Sequence, residues 1–525
     1  MKRYLLKAAA VMTALICLAG CGGSDSGAQS AAKGEFDPAS ITLTAAETVK
    51  SEAAQPSSGN TYKVEFKSDG EQNNPLITNI YCADPTSVEY NGRLYVYGTC
   101  DNQQYVEKPG ESNTYEKIKS FVVISTDDML NWRYEGIIDT KSVAPWIIAS
   151  WAPSIVSRVE EDGLTHFYLY FSNSGAGVGV ITSTDPVGPW SDPLGKPLIK
   201  AGMEGLGDCP SPFDPGAVID DEGVGWLAFG GGVAKEGSAY MPGTSRICRL
   251  GSDMVSVDSE IAEIKAPYFF EASELNFING TYVYTFNTSW ENRTEWDYST
   301  GIDSPGACSM CYMTSKTPLE TDSWEYRGMY LKNPGEMGMG YSNNHTHLQK
   351  YKDNYYVLFH TMLMQSGLKR KDLGMRSLCA DTVEVDEETV TISRCEATAK
   401  APLLTAASSG IDVFSPVQAE TSYLCDCEYV TEGDVTFAHC EDKNLIAVKK
   451  ADLGDGARAF AARLRGKGTV TVRFDSMESE PAAELSCDST GWKNIYTELT
   501  ASGEKELIFL ELSGGLDMDE WQLVK

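Results

Sequence analysis

Short stretches of alternating polar and apolar residues, rich in tyrosine, tryptophan and β-branched side chains, recur from about residue 61 to 404. This alternation is typical of β-strands that bury one face. Five of the stretches share one pattern: a polar start, a strand, a turn containing Gly or Asn, and a second strand rich in aromatic residues. They begin at Ala83, Trp151, Phe213, Phe269 and Asn343.

One position shared by all five copies recurs at intervals of 57 to 74 residues, which leaves room for four strands and their loops. That is the length of one propeller blade, so five copies predict a five-bladed β-propeller over residues 61–410. Beyond it, the alternation in GTVTVRFDS and KELIFLELS predicts a smaller β-sandwich domain over residues 411–525. The expected fold class is therefore all-β.

The first 21 residues have the composition of an export signal. Three basic residues precede the apolar run 8–18, and the run is too short to span a membrane. It ends in Leu18-Ala19-Gly20-Cys21, which resembles the bacterial lipoprotein box. Residues 1–21 are therefore predicted to be a lipoprotein signal peptide, with the exported protein anchored to the bacterial cell surface through acylated Cys21. Ordinary signal cleavage, with Cys21 incidental, is the alternative.

Residues 22–60 are rich in Gly, Ser, Ala, Thr and Glu, and predict a flexible tether. The net charge of −31 disfavours nucleic acid and anionic membrane surfaces as partners, whereas a neutral polysaccharide is indifferent to it. The 14 cysteines lack a regular framework, and neither Cys308-x-x-Cys311 nor Cys425-x-Cys427 has the second ligand pair of a zinc site. Most are predicted to be buried thiols, and their pairing is open.

Three carboxylates occupy one position of the repeat. Counted with one extra Phe before Glu271, the shared position of the pattern falls at Asp84, Ala152, Asp214, Glu271 and His345. If the pattern opens the innermost strand of each blade, these side chains converge at one mouth of the propeller axis. An Asp-Pro pair alone is most often a turn. Three carboxylates at the same position of the repeat, by contrast, predict a group of catalytic residues.

Cleavage of a glycosidic bond needs a protonated acid at the leaving oxygen and a second carboxylate. Glu271 follows Tyr268, Phe269 and Phe270, so its apolar neighbours favour the protonated form. A nearby carboxylate raises the pKa of the acid further by repulsion. Asp84 and Asp214 are expected to stay ionised.

The region 74–404 resembles glycoside hydrolase family 43, a family of five-bladed propellers that act on arabinose- and xylose-containing polysaccharides with inversion. The motifs that carry the resemblance are NPLITNIYCADP, SWAPSIV, FDPGAVIDDEG, FFEASELNFINGTYVY, LKNPG and NNH. The resemblance implies that Asp84 is the general base, Glu271 the general acid and Asp214 the residue that modulates the pKa of the acid. It requires no cofactor.

The resemblance carries over further positions. His345 matches a histidine on the propeller axis, where some relatives hold a water or a calcium ion, so His345 is a candidate sugar or metal contact. Arg376 matches an arginine near the modulating aspartate and the bound sugar, and Trp151 is placed to wall the sugar pocket. Trp290 and Trp296 are candidates for an outer sugar platform. Each of these residues has a purely structural alternative.

Residues 411–525 resemble a family 6 carbohydrate-binding module, through PVQAETSY, IAVKKADLG and the ending MDEWQLVK. Tyr496 stands near the position where such modules place a sugar-stacking aromatic ring. A packing domain without a ligand is the alternative.

The resulting hypothesis is an inverting α-L-arabinofuranosidase that acts on arabinoxylan-type chains. β-Xylosidase and endo-arabinanase are the nearest alternatives. Two different classes are a glycan-binding surface lipoprotein without catalysis and a protein-interaction scaffold. The intact carboxylate trio argues against both. Departures from the family pattern, such as Ala272-Ser273 after Glu271 and Thr346-His347 in the fifth blade, leave the exact substrate open.

Overall fold

Five antiparallel sheets are arranged as the blades of a β-propeller, and a curled sheet follows them in the chain. The computed structural model describes residues 36–44, 55–56, 66–400, 408–433 and 435–525. The expected signal peptide and Cys21 lie outside the described residues. Within the described ranges, no helix is both long and apolar enough to cross a bilayer.

The strands are numbered β1 to β31 along the chain, beginning with β1 at Gln55–Pro56. Blade one contains β2 Ala83–Tyr90, β3 Arg93–Thr99, β4 Phe121–Thr126 and β5 Trp132–Ile138. Blade two contains β6 Trp151–Val159, β7 Thr165–Ser172, β8 Gly177–Ser183 and β9 Ile199–Lys200. Blade three contains β10 Gly216–Ile219, β11 Gly225–Gly230, β12 Ser245–Arg249 and β13 Ala262–Glu263.

Blade four contains β14 Phe269–Ile278, β15 Thr281–Thr288, β16 Met310–Ser315 and β17 Glu325–Leu331. Blade five contains β18 Thr346–Tyr351, β19 Asn354–Thr361 and β20 Ser377–Val383, followed by the small pair β21 Val385–Asp386 and β22 Thr391–Ile392. The α-helices are α1 Asp101–Glu107, α2 Thr140–Val143 and α3 Leu363–Gly367. Short 3-10 turns lie at Pro38–Ser40, Ser174–Ala176, Tyr298–Thr300, Thr321–Ser323 and Pro334–Met337.

Inner strands of neighbouring blades are joined by hydroxyl groups as well as by apolar packing. Thr86 Oγ1 accepts a hydrogen bond from the Ile155 N–H (3.1 Å), and Ser154 Oγ accepts one from the Ala217 N–H (2.9 Å). Blade three has Gly216 at this position, where a Cβ would lie 2.3 Å from the Cα of Glu274. The blades can therefore approach closely around the axis, because only small or hydrogen-bonding side chains occupy this level.

The ring is closed by the chain that precedes blade one. The Leu76 N–H donates to Leu378 O (2.8 Å) and the Cys82 N–H donates to Arg376 O (3.0 Å), so this segment runs beside β20 of blade five. The contact joins the beginning and the end of the propeller. It also places the start of β2 next to the start of β20, where Asp84 and Arg376 lie.

The C-terminal sheet contains strands of very different lengths. They are β23 Val417–Gln418, β24 Thr421–Ser422, β25 Leu424–Cys425, β26 Glu428–Glu432, β27 Val435–Cys440, β28 Lys443–Asp452, β29 Ala457–Phe474, β30 Ala483–Ala501 and β31 Glu504–Val524. The last three are long enough to curl around a core that contains Phe460, Leu510 and Trp521. Tyr496, on β30, is 45 % exposed.

The propeller and the C-terminal sheet share contacts. Strand β24 pairs with β5 and so extends blade one by a strand, although it belongs to the C-terminal segment. The Asn131 side chain donates from Nδ2 to Lys449 O (2.8 Å) and accepts at Oδ1 from the Lys449 N–H (2.7 Å). Tyr134 stacks on Tyr429 with the ring centroids 5.4 Å apart. These contacts restrict movement between the two parts.

Part of the expected tether packs on the C-terminal sheet. The Thr42 N–H donates to Gln522 Oε1 (2.8 Å), and Asn494 Nδ2 donates to Thr44 O (3.0 Å). Strand β1 pairs with β26. These residues therefore differ from the flexible segment expected over 22–60, because their backbone groups find partners on the sheet.

The 12 cysteines from Cys82 to Cys487 in the described part of the chain are buried and unpaired. The prediction of buried thiols is confirmed for these residues. Burial raises the pKa of most of them, for example that of Cys248 to about 12, so the neutral thiol is the stable form.

Candidate active site

A bulge near the start of the first strand brings side chains to the axis. Between the pairs Ala83–Thr99 and Thr86–Tyr97 the register skips, and the same skip occurs in blades two and four. The bulged residues have a left-handed backbone conformation: φ is +50° at Asp84, +42° at Ala152 and +59° at Ala272. Asp214, just ahead of β10, has φ of +49°. Such bulges redirect a side chain without ending the strand.

This register corrects the sequence alignment of the repeats. Glu271 pairs with Asn287 as Ala83 pairs with Thr99, so Glu271 is equivalent to Ala83 and Trp151 rather than to Asp84. His345 directly precedes Thr346, which pairs with Phe359 as Thr86 pairs with Tyr97. Compared with the position that Asp84, Ala152 and Asp214 occupy in their blades, Glu271 therefore lies one residue earlier and His345 one residue later.

The N–H of each bulged residue is bound by a side chain from an adjacent blade. The Ala152 N–H donates to Thr99 Oγ1 (2.8 Å), and the Asp214 N–H donates to Ser172 Oγ (2.7 Å). For the bulged residue of blade four, the equivalent partner would be the last residue of β11 in blade three. That residue is Gly230, which has no hydroxyl group. The Ala272 N–H instead donates to Asp214 Oδ2 (2.9 Å). This bond fixes the Asp214 carboxylate beside the backbone of Glu271.

Asp84 is held by a buried arginine. Arg376, 2 % exposed, donates from Nη1 to Asp84 Oδ1 (2.7 Å) and from Nη2 and Nε to the two oxygens of Asp101 (2.8 and 2.9 Å). Burial alone would raise the pKa of Asp84, but the guanidinium and the neighbouring histidines outweigh it and hold the pKa well below the ordinary range. Asp84 is therefore an ionised carboxylate, as the sequence predicted.

His360 supports Asp84 from behind. Its Nδ1 lies 3.1 Å from the Asp84 backbone nitrogen and 3.3 Å from Asp84 Oδ1. Because a backbone N–H can only donate, Nδ1 is an acceptor and the ring proton is on Nε2, which donates to Asn343 O (2.9 Å). His360 is thus a neutral imidazole, and the Arg376 contact is the main source of the low pKa of Asp84.

Asp214 and Glu271 form the second part of the site. Burial, followed by repulsion from Asp214 and then from Asp84, raises the pKa of Glu271 to about 8. Burial and the charge of Asp84 also raise the pKa of Asp214. Asp214 accepts hydrogen bonds from the Ala272 N–H and from Ser172 Oγ, whereas Glu271 Oε1 is buried without a partner. The proton shared by this pair therefore resides mainly on Glu271.

His345 lies between two of the carboxylates. Its Nδ1 is 3.8 Å from Asp84 Oδ1 and 3.9 Å from Asp214 Oδ2, which places it at the axis as expected. Burial lowers the pKa of His345 to about 4, so the ring is neutral near pH 7. Its Nε2 is buried without a protein partner.

The residues around His345 are a poor match to calcium. Ca²⁺ takes six to eight oxygen ligands, but Asp84 and Asp214 already bind Arg376 and the Ala272 N–H. Within the described ranges, no group of three or more His, Cys, Asp or Glu side chains is arranged to hold a metal ion. The arrangement does not support the expectation of a calcium ion on the axis.

Trp151 and a tyrosine form one wall beside these groups. Trp151 Nε1 donates to Tyr115 O (3.1 Å), and the two rings make an edge contact with centroids 6.1 Å apart. The Tyr115 ring also lies 4.9 Å from the Arg376 guanidinium. Trp151 is only partly buried, so it is available as a wall of the pocket.

The two tryptophans expected to form a platform differ in their surroundings. Trp290 is 50 % exposed. Trp296 donates from Nε1 to Ile302 O (2.9 Å) and packs against Tyr240 and Tyr326, so it supports the loop from inside. Trp290 alone of the pair has an exposed ring that is suited to stacking on a sugar.

The sequence did not identify three residues of this site. Asp101 is buried and pairs with Arg376, His360 supports the backbone of Asp84, and Asn343 Oδ1 accepts a hydrogen bond from Arg376 Nη1 (3.4 Å). Asp101 lies outside the repeat, and His360 lies in the second strand of the fifth copy, away from the shared position, so only the folded chain brings them to the site. Arg376 itself contacts Asp84 rather than the expected modulating residue Asp214.

The chain matches known proteins over most of its length. The sequence profile of the glycosyl hydrolases family 43 matches residues 72–390. An arabinoxylan arabinofuranohydrolase of Bacillus subtilis (strain 168) is 33% identical over 489 residues, which cover 86% of this chain and 92% of that protein. A protein of the same name from Paenibacillus polymyxa is 31% identical over 485 residues, covering 86% and 74%.

A solved structure extends the likeness to the whole fold. The crystal structure of a glycoside hydrolase family 43 arabinoxylan arabinofuranohydrolase from Bacillus subtilis, in complex with cellotetraose, superposes with a TM-score of 0.78 at 30% identity. The alignment covers 89% of this chain and 100% of that chain. The likeness therefore includes the C-terminal sheet as well as the propeller.

The raised pKa of Glu271 predicts how stability depends on pH. The folded protein keeps this proton where the unfolded chain has released it, so the contribution to stability is complete below about pH 4, near the unfolded pKa, and is lost as pH rises through about 8. The melting temperature of the unaltered protein should therefore fall, relative to that of Glu271→Gln, between pH 5 and pH 9. Glu204→Gln, at an exposed glutamate, is the control. A constant difference would contradict the assignment.

Proposed function

The chain belongs to glycoside hydrolase family 43, and from this premise we propose that it is an inverting α-L-arabinofuranosidase acting on arabinoxylan. Membership makes it a glycoside hydrolase with a propeller catalytic domain. The observation that carries the proposal is the opposite protonation of two carboxyl groups in one site. Arg376 keeps Asp84 ionised, whereas burial and repulsion keep Glu271 protonated near neutral pH.

These two states are the ones that an inverting glycosidase needs. A carboxylate that is already ionised can take a proton from water, and a protonated carboxyl group can donate one to the leaving oxygen. Asp84 is therefore assigned as the general base and Glu271 as the general acid. Asp214, whose charge raises the pKa of Glu271, is assigned as the modulator.

The names of the relatives support arabinoxylan as the substrate. Two relatives that cover 86% of this chain are arabinoxylan arabinofuranohydrolases. Trp151 and Tyr115 line one side of the carboxylates, and Trp290 has an exposed ring of the kind that stacks on a sugar. No step in this scheme uses a cofactor, and the acidic surface does not oppose the approach of a neutral polysaccharide.

The proposal is tested by the products. We expect arabinose to be released from arabinoxylan and from aryl α-L-arabinofuranosides, faster than xylose from aryl β-D-xylosides. An inverting base and acid are separated by about 6.5–9.5 Å, which leaves room for a water molecule. Proton NMR of the first product should therefore show the anomer opposite to that of the substrate. Xylose as the main product would replace the proposed specificity, and the retained anomer would refute inversion.

The roles of acid and base are separable by leaving group. Glu271→Ala should cleave a substrate with a very acidic phenol far better than a natural oligosaccharide, because that phenol leaves without a proton. Asp84→Ala should be impaired on both substrates, since water still has to be activated. Each loss should be about 10²- to 10⁴-fold on the natural substrate. Circular dichroism controls for folding, and the reverse pattern would exchange the two assignments.

The N-terminal motif supports a location at the cell surface. We propose that Leu18-Ala19-Gly20-Cys21 directs acylation of Cys21, so that the protein remains on the membrane by a lipid anchor. Cys21→Ala should then appear in the culture medium, while the unaltered protein fractionates with membranes. Cys17→Ala, which changes a cysteine inside the apolar run, is the matched control. Retention of Cys21→Ala with the membrane would rule out this anchor.

A further inference from the structure

Two loops of blade four cross the face of the propeller that carries the carboxylates. Strand β14 begins at that face with Glu271, and the strands of the blade are antiparallel, so the connection between β15 and β16, residues 289–309, returns to the same face. Strand β17 also ends there, and residues 332–345 lead from it to β18 of blade five. Trp290 and Tyr341 lie in these two loops.

Tyr341 presents an aromatic ring on this face. Its side chain rests on Gly335 of its own loop, where a Cβ would lie only 2.3 Å from Tyr341 Cγ. Only a glycine allows the ring to approach the backbone this closely. The backbone therefore supports the ring on one side, and Tyr341 remains 63 % exposed.

A buried asparagine closes the loop around Tyr341. The Asn333 side chain accepts a hydrogen bond at Oδ1 from the Gly335 N–H (2.9 Å) and donates from Nδ2 to Ser342 O (2.8 Å). These two partners flank the segment that ends in Tyr341. The ring is therefore held in place before a ligand binds, which lowers the entropy that binding has to overcome.

Cys308 joins the loop of Tyr341 to the loop of Trp290. Its N–H donates to Ser289 O (3.1 Å), next to Trp290 in the sequence. Its thiol donates to Ser342 O (3.6 Å), next to Tyr341. The backbone positions beside the two exposed rings are thus connected through one buried residue, so the rings belong to neighbouring parts of one surface.

The same cysteine connects both loops to the strand of the proposed acid. Asn287 Nδ2 donates to Cys308 Sγ (3.5 Å), and Asn287 pairs with Glu271 across β14 and β15. The rings therefore lie on the side of the site that contains Glu271. That is the side of the leaving group, because the acid protonates the leaving oxygen.

We propose that Trp290 and Tyr341 form a leaving-group platform, which binds the neutral backbone of the polysaccharide while a side-chain sugar is removed at the carboxylates. Aromatic rings of this kind offer a large apolar area at a small cost in side-chain entropy, and sugar rings have apolar C–H faces that can stack on them. This inference rests on the proposed function, since it assigns a place to the chain from which arabinose is cleaved.

The platform predicts a difference between polymeric and small substrates. Tyr341→Ala should raise KM for arabinoxylan by about three- to tenfold, because a stacking surface is lost. It should change KM for 4-nitrophenyl α-L-arabinofuranoside much less, since a phenol covers far less of the platform than a polysaccharide backbone. Trp290→Ala should act in the same direction, and the double variant should have a higher KM for arabinoxylan than either single variant.

Two further variants test whether the ring itself is responsible. Tyr341→Phe keeps the ring and should keep the KM for arabinoxylan close to that of the unaltered protein. Leu164→Ala removes a 53 % exposed apolar side chain from the turn between β6 and β7, at the opposite face of the propeller, and should change neither KM. The melting temperature of each variant controls for folding.

The outcomes separate the platform from the proposed function. If the protein cleaves both substrates and KM for arabinoxylan is unchanged in Tyr341→Ala and Trp290→Ala, the function stands and the platform is wrong. Equal changes on both substrates, or a Tyr341→Phe variant as impaired as Tyr341→Ala, would also overturn the platform. If the unaltered protein releases no pentose from either substrate, the proposed function itself fails.

Discussion

A single buried arginine determines how charge is distributed in the site. In the part of the chain that the structure describes, the Arg376 guanidinium is the cation that contacts these carboxylates, and it pairs with Asp84 and Asp101. Asp214 and Glu271 are left without a cation in contact, so burial and mutual repulsion oppose the ionisation of both. The site therefore contains a fixed anion and a shared proton, which is the asymmetry that acid–base cleavage needs.

The backbone makes this distribution possible. Asp84 lies on the bulge at the start of blade one, and closure of the ring brings the start of β20, with Arg376, beside it. Asp214 is turned towards blade four because Gly230 supplies no hydroxyl for the Ala272 N–H. The placement of the carboxylates thus originates in the left-handed residues near the start of the inner strands.

The repeat pattern was sufficient to predict five blades, an all-β fold and the convergence of Asp84, Asp214 and Glu271. It could not give the one-residue offset of Glu271, because a bulge changes which residues pair without changing the order of polar and apolar positions. The repeat pattern also could not predict the partners of Arg376. Asp101 is at the start of a short helix outside the repeat, and its pairing with Arg376, 275 positions away in the sequence, depends on ring closure.

The neutrality of both axial histidines limits what they contribute to the site. Nδ1 of His360 accepts a hydrogen bond from the Asp84 N–H and therefore carries no proton. Burial lowers the pKa of His345 to about 4. The guanidinium of Arg376 is therefore the largest favourable influence on the ionised form of Asp84. The histidines instead fix positions: His360 holds the backbone of Asp84 and the carbonyl of Asn343, and His345 separates Asp84 from Asp214. Positive charge on either ring would bring a second cation against the ionised base and would weaken its ability to take a proton from water.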